Sequence, residues 1–380
     1  MGTSVCLLTN VHHPLDQRIF FKQALSLVQA GHRVVVVGPG PTDLAGCREG
    51  VEIRTVPQPH SAWGRLRNLG RVLRVGWGTG AQVYHFHDPE LLPVGLLLRL
   101  LGKQVCYDVH EHFPQVALIR AWVPRWLRRP LSVLVDRAER FCARWLSGVV
   151  GVVEEQGDRF RHRPFVAVRN FPRLEWFPPA NGQPRQGAEL IHVGSLSEDR
   201  GALLLPEIMH LLGQTHPGVR LLALGPFHNP ATERVFRERL RAYGLESRVE
   251  CRTSEVPYHA LGQLIRTSRI GLIPGQASPK NLTPFVPTKL FEYLACGLPV
   301  VASALPSIQG FHIGANWGIL VEPADPAAHA RAIAYLLDHP EEADTKGRRG
   351  RVAVEARYNW AQEEQRLLSF YSHLERARSC

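Results

Sequence analysis

The sequence of 380 residues lacks the signals of export and of membrane insertion. Its longest apolar run, residues 91–101, carries Arg99 and is shorter than the roughly 20 residues that span a bilayer. The N-terminus has no basic segment followed by an apolar core and a small-residue cleavage site, so residues 5–9 are predicted to form a buried strand. We therefore expect a cytoplasmic protein.

Paired cysteines are missing as well. The seven cysteines are scattered along the chain, with no Cys-x-x-Cys pair among them. An odd number of unpaired cysteines without an export signal is typical of reduced thiols in the cytoplasm.

Acidic residues are outnumbered, since 45 lysines and arginines face 34 acids and give a net charge of +11. The basic residues do not alternate with stacking aromatics, which argues against a nucleic-acid binder. They concentrate in residues 65–74, bordered by Trp63 and Trp77, and in residues 122–129. Arginine mixed with tryptophan and leucine at helical spacing suits a surface that docks on anionic lipid headgroups. A solvated arginine-rich face explains the same pattern, and both interpretations remain open.

The chain is long for one core, and its 44% apolar content is that of a globular protein. Strand-like and helix-like segments alternate twice, which predicts two parallel sheets wound by helices. The predicted strands are residues 4–9, 33–38, 51–56, 83–87, 104–110, 149–153 and 165–169, then 189–193, 219–225, 249–252 and 270–274. The predicted helices are residues 19–29, 202–215, 234–244, 258–266 and 360–374. The proline-rich residues 171–184, without periodicity, are predicted to link the two halves.

Residues 284–303 carry the strongest local signal. Pro287 and Thr288 predict a sharp helix start that Thr288 caps. Lys289 in the first turn has the wrong sign for the helix dipole unless an anion binds there, and Glu292 follows one turn later. Gly297 then ends the helix before a β-branched strand. The segment therefore predicts a site for a phosphorylated, sugar-bearing ligand.

This segment resembles the donor-binding motif of retaining GT-B glycosyltransferases, known as glycosyl transferase group 1 or family 4. Residues 10–19, 107–111, 194–201 and 358–371 resemble further motifs of that family, in the family's order. The resemblance implies an α/β fold of the GT-B type, in which two doubly wound Rossmann-like domains face a cleft. It implies an acceptor-side domain of residues 1–170, a linker of 171–187, a nucleotide-sugar-binding domain of 188–357, and a helix of 358–380 that crosses back.

The resemblance also implies the donor-binding residues. Glu292 corresponds to the glutamate that binds the donor's ribose hydroxyls, although a helix-surface acid paired with Lys289 is an alternative. Arg200 matches one of two basic residues at the diphosphate, and Ser195 replaces the other, so that Lys289 compensates. Pro284 stands in place of a second glutamate, which leaves recognition of the transferred sugar to main-chain groups or to residues 280–286. The predicted donor site comprises Glu292, Lys289, Arg200, Thr288, Gly194, Ser195 and Pro284.

By the same resemblance, His110 lies at the donor sugar near the reacting carbon and helps to orient it, with a core histidine as the alternative. The acceptor-side residues are His12, Asp16, Arg18, His87 and Asp88. Histidines two residues apart also make a metal site conceivable around residues 85–88 and 110–112. The resemblance gives those segments acceptor and donor roles instead, so neither a metal nor a cofactor is expected.

The sequence thus predicts a retaining, metal-independent glycosyltransferase that moves a sugar from a nucleotide sugar to a glycan, lipid-linked or polysaccharide acceptor. Peripheral contact with an anionic membrane is part of this prediction, at its inner face, and nucleic acid is not. Two alternatives remain. One is an altered GT-B protein that binds without transfer, which Pro284 and Ser195 suggest, and the other is a nucleotide-sugar epimerase of related fold.

Overall fold

The computed structural model describes residues 2–109, 124–180, 185–254, 256–279, 281–282 and 285–379. The chain forms two compact units. The first comprises Met1–Asn170 together with Ala361–Cys380, and the second comprises Phe171–Trp360.

The first unit is built on an eight-stranded sheet with the order β3-β4-β2-β1-β5-β6-β7-β8. Its strands are β1 Ser4–Leu8, β2 Arg33–Pro39, β3 Gly46–Arg48, β4 Val51–Val56, β5 Val83–Phe86, β6 Gln104–Val109, β7 Gly148–Gly151 and β8 Phe165–Ala167. Its described α-helices are α1 Leu25–Gln29, α2 Ala62–Trp77, α3 Leu92–Leu100, α4 Arg125–Ala143 and α12 Trp360–Ser379. A π-helical segment, Ile19–Ala24, leads into α1.

Neighbouring strands of this sheet run parallel from β4 to β8, as the alternation predicts. The edge strand β3 differs, because it pairs antiparallel with β4. A tight turn at Glu49 and Gly50, both with positive φ, joins the two strands. Strand β3 was not predicted from the sequence, since its three residues are exposed and carry no apolar pattern.

Helices α2, α3 and α4 cover one face of this sheet. Val72 of α2, Leu98 of α3 and Ala143 of α4 belong to a single buried cluster with Tyr84 and Phe86 of β5. Alternation along β5 directs His85 to the opposite face. There the Tyr371 hydroxyl of α12 lies 2.8 Å from His85 Nδ1. The three helices on the first face therefore form one layer, and α12 packs on the other face.

The second unit contains a six-stranded parallel sheet with the order β11-β10-β9-β12-β13-β14. Its strands are β9 Leu190–Val193, β10 Leu221–Leu224, β11 Val249–Arg252, β12 Ile270–Ile273, β13 Val300–Ser303 and β14 Gly318–Val321. Its described α-helices are α5 Leu205–Leu212, α6 Pro230–Ala242, α7 Tyr258–Ile265, α8 Thr288–Ala295, α9 Pro306–His312, α10 Pro326–Asp338 and α11 Pro340–Ala356. Helix α6 starts four residues before its predicted start, because Asn229 caps it and accepts from Ala231 N–H.

The segment predicted as a linker packs into the second unit over its described part. Phe171 and Phe177 are buried. The Phe171 ring lies 4.6 Å from that of Phe291 on α8, and Trp176 lies edge-on to Tyr258 on α7. Burial of its aromatic side chains thus fixes the position of this segment, which its prolines and lack of periodicity predicted to be irregular.

Candidate active-site residues

Helix α8 starts at Thr288 itself, so the prediction that Thr288 caps the helix is wrong. Pro287 occupies the cap position and makes no side-chain cap bond, while its carbonyl oxygen accepts from Leu290 N–H at 3.0 Å. Proline has no side-chain acceptor, so the cap residue leaves the N–H groups of Thr288 and Lys289 to other acceptors such as an anion. Pro284, predicted nearby, lies outside the described residues.

Two cationic groups converge next to Gly194, the residue that follows β9. A Cβ built on Gly194 would lie 3.1 Å from Arg200 Nη1 and 3.3 Å from Lys289 Nζ. Gly194 has a φ of 108°, which favours glycine, and the missing side chain leaves room for both cations. The structure therefore brings together three of the residues predicted for the donor.

Lys289 is unusual electrostatically. Its side chain keeps part of its surface open, yet the surrounding protein desolvates the ammonium group, and Arg200 adds a like charge. Together they lower the pKa of Lys289 from 10.5 to about 7, although Glu292 and Asp199 act in the opposite direction. An anion beside Lys289 and Arg200 would remove most of this cost.

His192 of β9 is a buried residue that the sequence analysis did not select. Burial lowers the pKa of His192 well below its usual value, and the charges of Lys289 and Arg200 lower it further. Its Nδ1 lies 3.2 Å from the Leu272 carbonyl oxygen. We infer that His192 stays neutral and leaves the positive charge to the other two side chains.

Glu292 is 4% exposed, so it is not a helix-surface acid, and that alternative is wrong. Tyr293, the next residue, fixes α8 to the end of β9, because Val193 N–H donates to the Tyr293 hydroxyl at 2.7 Å. The Tyr293 ring occupies the space that a side chain at Gly271 would fill. Packing therefore sets the position of Glu292 one turn from Lys289.

Ser195 and Gly201 complete the loop after β9. The Ser195 hydroxyl lies 3.1 Å from His228 Nε2, so the position predicted to lack a cation has a histidine beside it. Gly201 has a φ of 80° and precedes the short 3₁₀ helix Ala202–Leu204. A Cβ on Gly201 would lie 1.9 Å from the Pro274 carbonyl oxygen. The loop that carries Arg200 therefore requires glycine at this position.

Replacing Gly201 with alanine should lower the free energy of unfolding by more than about 2 kcal/mol, because left-handed backbone costs an L-residue about 1–2 kcal/mol before the overlap is counted. The matched control is Gly218→Ala, where an added Cβ meets open space and the stability should stay within about 0.5 kcal/mol. Urea unfolding of both variants measures the difference. Equal stabilities would contradict the close contact at Pro274.

In the first unit, Asp88 organises the loop after β1. Its carboxylate accepts from the Thr9 hydroxyl at 2.7 Å and from Asn10 N–H at 2.6 Å, and His12 Nε2 lies 3.3 Å away. Burial raises the pKa of Asp88, but His12 and the Asn10 and Thr9 donors outweigh it and lower the pKa overall. Asp88 is 3% exposed, so it supports the loop from inside, whereas part of the predicted acceptor-side residue His12 reaches the surface.

Arg18 lies inside the first unit, which corrects the expectation that it lines the first loop for the acceptor. Its guanidinium donates to both Asp108 carboxylate oxygens, at 3.0 Å each, and to the Val168 carbonyl oxygen at 2.7 Å. Asp16 accepts from Arg18 N–H at 2.7 Å and so starts the π-helical segment. Arg18 is therefore a buried structural cation.

His87 is buried as well, stacked on His85 with ring centroids 4.9 Å apart. These two histidines and Asp108 form the one cluster, among the described residues, whose atoms are close enough to hold a metal ion. The arrangement does not favour a cation. Asp108 already accepts bonds from Arg18 and Gln23, and the Arg18 charge would repel a metal. His110, predicted to be catalytic, lies outside the described residues.

Comparison with known proteins agrees with this organisation. A family described as "Glycosyl transferase 4-like domain" matches residues 18–173, and one described as "Glycosyl transferase-like" matches residues 208–369. The chain belongs to the glycosyl transferase group 1 family. It is therefore a glycosyltransferase by membership, and the prediction of family and enzyme class is confirmed.

Curated relatives are similar to this chain over different lengths of sequence. A glycogen synthase of Mycobacterium tuberculosis is 25% identical over 374 residues, which cover 88% of this chain and 85% of that protein. A D-inositol 3-phosphate glycosyltransferase of Acidothermus cellulolyticus is 28% identical over 198 residues, or 50% of this chain. The match spans 42% of that relative, less than half its length.

Solved structures of similar shape confirm the GT-B fold of this family member. Sucrose-phosphate synthase from Thermosynechococcus elongatus has a TM-score of 0.76 at 20% identity and covers 99% of this chain and 100% of its own. Anabaena HepE, in complex with UDP and glucose, has a TM-score of 0.74 at 14% identity and covers 98% of this chain and 100% of its own.

One group of polar residues in this glycosyltransferase, the network around Asp108, was not predicted from the sequence. It links Arg18, Gln23 and the two stacked histidines, and the Tyr371 hydroxyl extends it to α12. A signal was present, since Asp108 interrupts an otherwise apolar strand. An acid in such a position requires a buried partner, but the sequence does not show that the partner is Arg18, 90 residues away.

Proposed function

We propose that this protein transfers a glycosyl group from a nucleoside diphosphate sugar to an acceptor hydroxyl, with retention of configuration. The observation that carries the proposal is the pair of cationic side chains, Arg200 and Lys289, next to Gly194. Lys289 lies at the start of α8, and Glu292 follows it one turn later. A diphosphate offsets the two charges and accepts from the N–H groups of α8. HepE, whose structure contains UDP and glucose, is a protein of the same fold, which supports this donor class.

Each residue has a distinct role in the proposed reaction. Lys289 and Arg200 bind the diphosphate and stabilise the negative charge that develops as the sugar leaves. Glu292 accepts from the ribose hydroxyls. The acceptor oxygen attacks the anomeric carbon on the face from which the diphosphate departs, and a donor phosphate oxygen takes the acceptor proton. The two side-chain cations supply the charge that a metal would otherwise provide, so we propose a metal-independent reaction.

The proposed acceptor is a glycan, a lipid-linked sugar or a growing polysaccharide. His12 and Asp16, near the surface of the first unit, are the proposed acceptor-side contacts, with Asp88 and His87 supporting them from inside. A lipid-linked acceptor places the protein at the inner face of an anionic membrane. No helix in the described part of the chain is both long enough and apolar enough to cross a bilayer.

A thermal-shift screen of nucleoside diphosphates and their sugars tests the donor class, because a ligand that binds the native state raises its melting temperature. Glu292→Ala and the closer Glu292→Gln should keep the fold and lower donor turnover by about 10- to 100-fold, whereas the exposed Glu238→Ala on α6 should not change it. Full activity in the Glu292 variants would refute the site. Binding without hydrolysis or transfer in the wild type would favour the non-transferring alternative.

A further inference from the structure

The layer formed by α2, α3 and α4 exposes large apolar side chains on its outer surface. The three helices share one buried cluster on a single face of the first sheet, so their outward surfaces point to the same side of the unit. These surfaces carry several large exposed apolar side chains, namely tryptophans, leucines and a phenylalanine. We call this surface the outer helix layer.

Helix α4 shows the pattern most clearly. Trp126, Leu134 and Phe141 lie within about 80° of one another around the helix axis at 100° per residue, and Trp126 is 76% exposed. The opposite side of the helix carries Glu139, which accepts from the Tyr107 hydroxyl at 2.7 Å, and the buried Ala143. The apolar stripe therefore faces away from the core, and its side chains are exposed.

Helices α2 and α3 extend the same surface. Trp63 and Leu66 on α2 and Leu100 on α3 are exposed, the last by 85%. The C-terminal end of α2 approaches the turn that follows α3, where Lys103 Nζ lies 5.1 Å from the centroid of the Trp77 ring. The residues 65–74 and 122–129 noted in the sequence, so far as the structure describes them, thus belong to one surface, and α4 continues it to Phe141.

The charges on the outer helix layer have one sign. Helices α2 and α3 contain no acid, and both acids of α4, Asp136 and Glu139, bond to Arg159. The exposed arginines of α2 and α4 are Arg65, Arg67, Arg71, Arg74, Arg129, Arg137 and Arg140. An aqueous protein partner or a second copy of this chain would have to cover tryptophans amid these arginines. For a second copy, like charges would face each other.

We infer that the outer helix layer docks on a bilayer surface that contains anionic phospholipids. The apolar side chains enter the boundary between headgroups and acyl chains, and the arginines bind lipid phosphates. Arginine suits this position because its planar guanidinium pairs with two phosphate oxygens. The outer helix layer is thus the membrane contact in the proposed function. The inference rests on that function only for the biological purpose of docking, since docking itself requires neither donor nor transfer.

Vesicle sedimentation of the full chain tests the inference, using phosphatidylcholine vesicles with and without phosphatidylglycerol. The wild type should sediment with the mixed vesicles and not with phosphatidylcholine alone. Trp126→Ser combined with Phe141→Ser, and separately Arg129→Glu combined with Arg137→Glu, should each weaken binding by at least about tenfold. The matched control, Ile313→Ser, changes a side chain of the second unit that is 84% exposed and should bind as the wild type does.

The inference would be overturned if both double variants bound the vesicles as strongly as the wild type does. It would also be overturned if wild-type binding did not depend on phosphatidylglycerol. A concentration-dependent dimer, in sedimentation velocity, that both double variants dissociate would overturn it too, because it would assign the surface to self-association. Melting temperatures with and without a nucleoside diphosphate keep the two proposals separable. A double variant that retains the nucleotide-induced shift but loses vesicle binding has lost the membrane contact alone, whereas a wild type without any nucleotide shift would refute the donor site and leave docking untouched.

Discussion

Replacing Lys289 with methionine should raise the melting temperature of the ligand-free protein at pH 7 by at least about 2 °C and reduce the further rise that a nucleoside diphosphate produces. Methionine keeps the length of the side chain and removes a charge that burial and Arg200 destabilise. Loss of one charge-assisted bond of about 1.5–3 kcal/mol should weaken nucleotide binding about 10- to 100-fold. Thermal denaturation with and without nucleotide measures both effects.

The pH dependence identifies the cause. Because the pKa of Lys289 is lowered from 10.5 to about 7, the native protein binds fewer protons there than the unfolded chain between those values. The cost of the buried charge is full below about pH 7 and disappears as the pH rises towards about 10.5. The advantage of the methionine variant should therefore shrink as the pH rises through this window. The control Lys103→Met should not affect nucleotide binding, and unchanged nucleotide binding in Lys289→Met would contradict the site.

Replacing Asp108 with asparagine should destabilise the protein by about 3–5 kcal/mol, because it leaves the Arg18 guanidinium buried without a counter-charge. The Arg18–Asp108 pair is almost fully buried, with side-chain exposures of 4% and 0%. Adding Arg18→Met to Asp108→Asn should recover part of the loss, since the second change removes the uncompensated cation. Urea denaturation of the two single variants and the double variant gives the coupling energy.

A surface ion pair on α6 provides the comparison for these Arg18 and Asp108 variants. Glu233 accepts from Arg237 at 2.8 Å on α6, and both side chains are substantially exposed. Glu233→Gln should cost less than about 1 kcal/mol, because solvent screens such pairs. A similar small cost at Asp108 would show that the charge there is not essential to the stability of the first unit.

The parallel sheets were predictable from local patterns, since their strands are short β-branched runs bounded by glycine and polar turns. Residues 33–38 and 51–56 are clear examples, and both correspond to strands of the structure, β2 and β4. Boundaries were less accurate where a cap or a 3₁₀ turn decides them. Helix 202–215 splits into a short 3₁₀ segment and α5, because Pro206 stands in the first turn of the α-helix.

The placement of Lys289 and Glu292 one turn apart at the start of one helix was predictable, because a helix start carries its own sequence signals. How deeply each side chain is buried was not predictable. Arg18 and Arg200 are both arginines in loops after a first strand, yet Arg18 is buried on Asp108 while Arg200 stays partly open beside Gly194. Burial of this kind depends on strands distant in the sequence, and a single sequence does not give that pairing.

Helix α12 follows the second unit in the chain but belongs to the first, and this order has a consequence for biosynthesis. His85 and the Tyr371 hydroxyl that it contacts are 286 residues apart. Glu363 accepts from Arg169 N–H at 2.8 Å across an interval of 194 residues. While the ribosome makes the second unit, the sheet face of the first unit remains uncovered where α12 will lie, with Tyr371 still absent. The first unit to be synthesised is therefore the last to be completed.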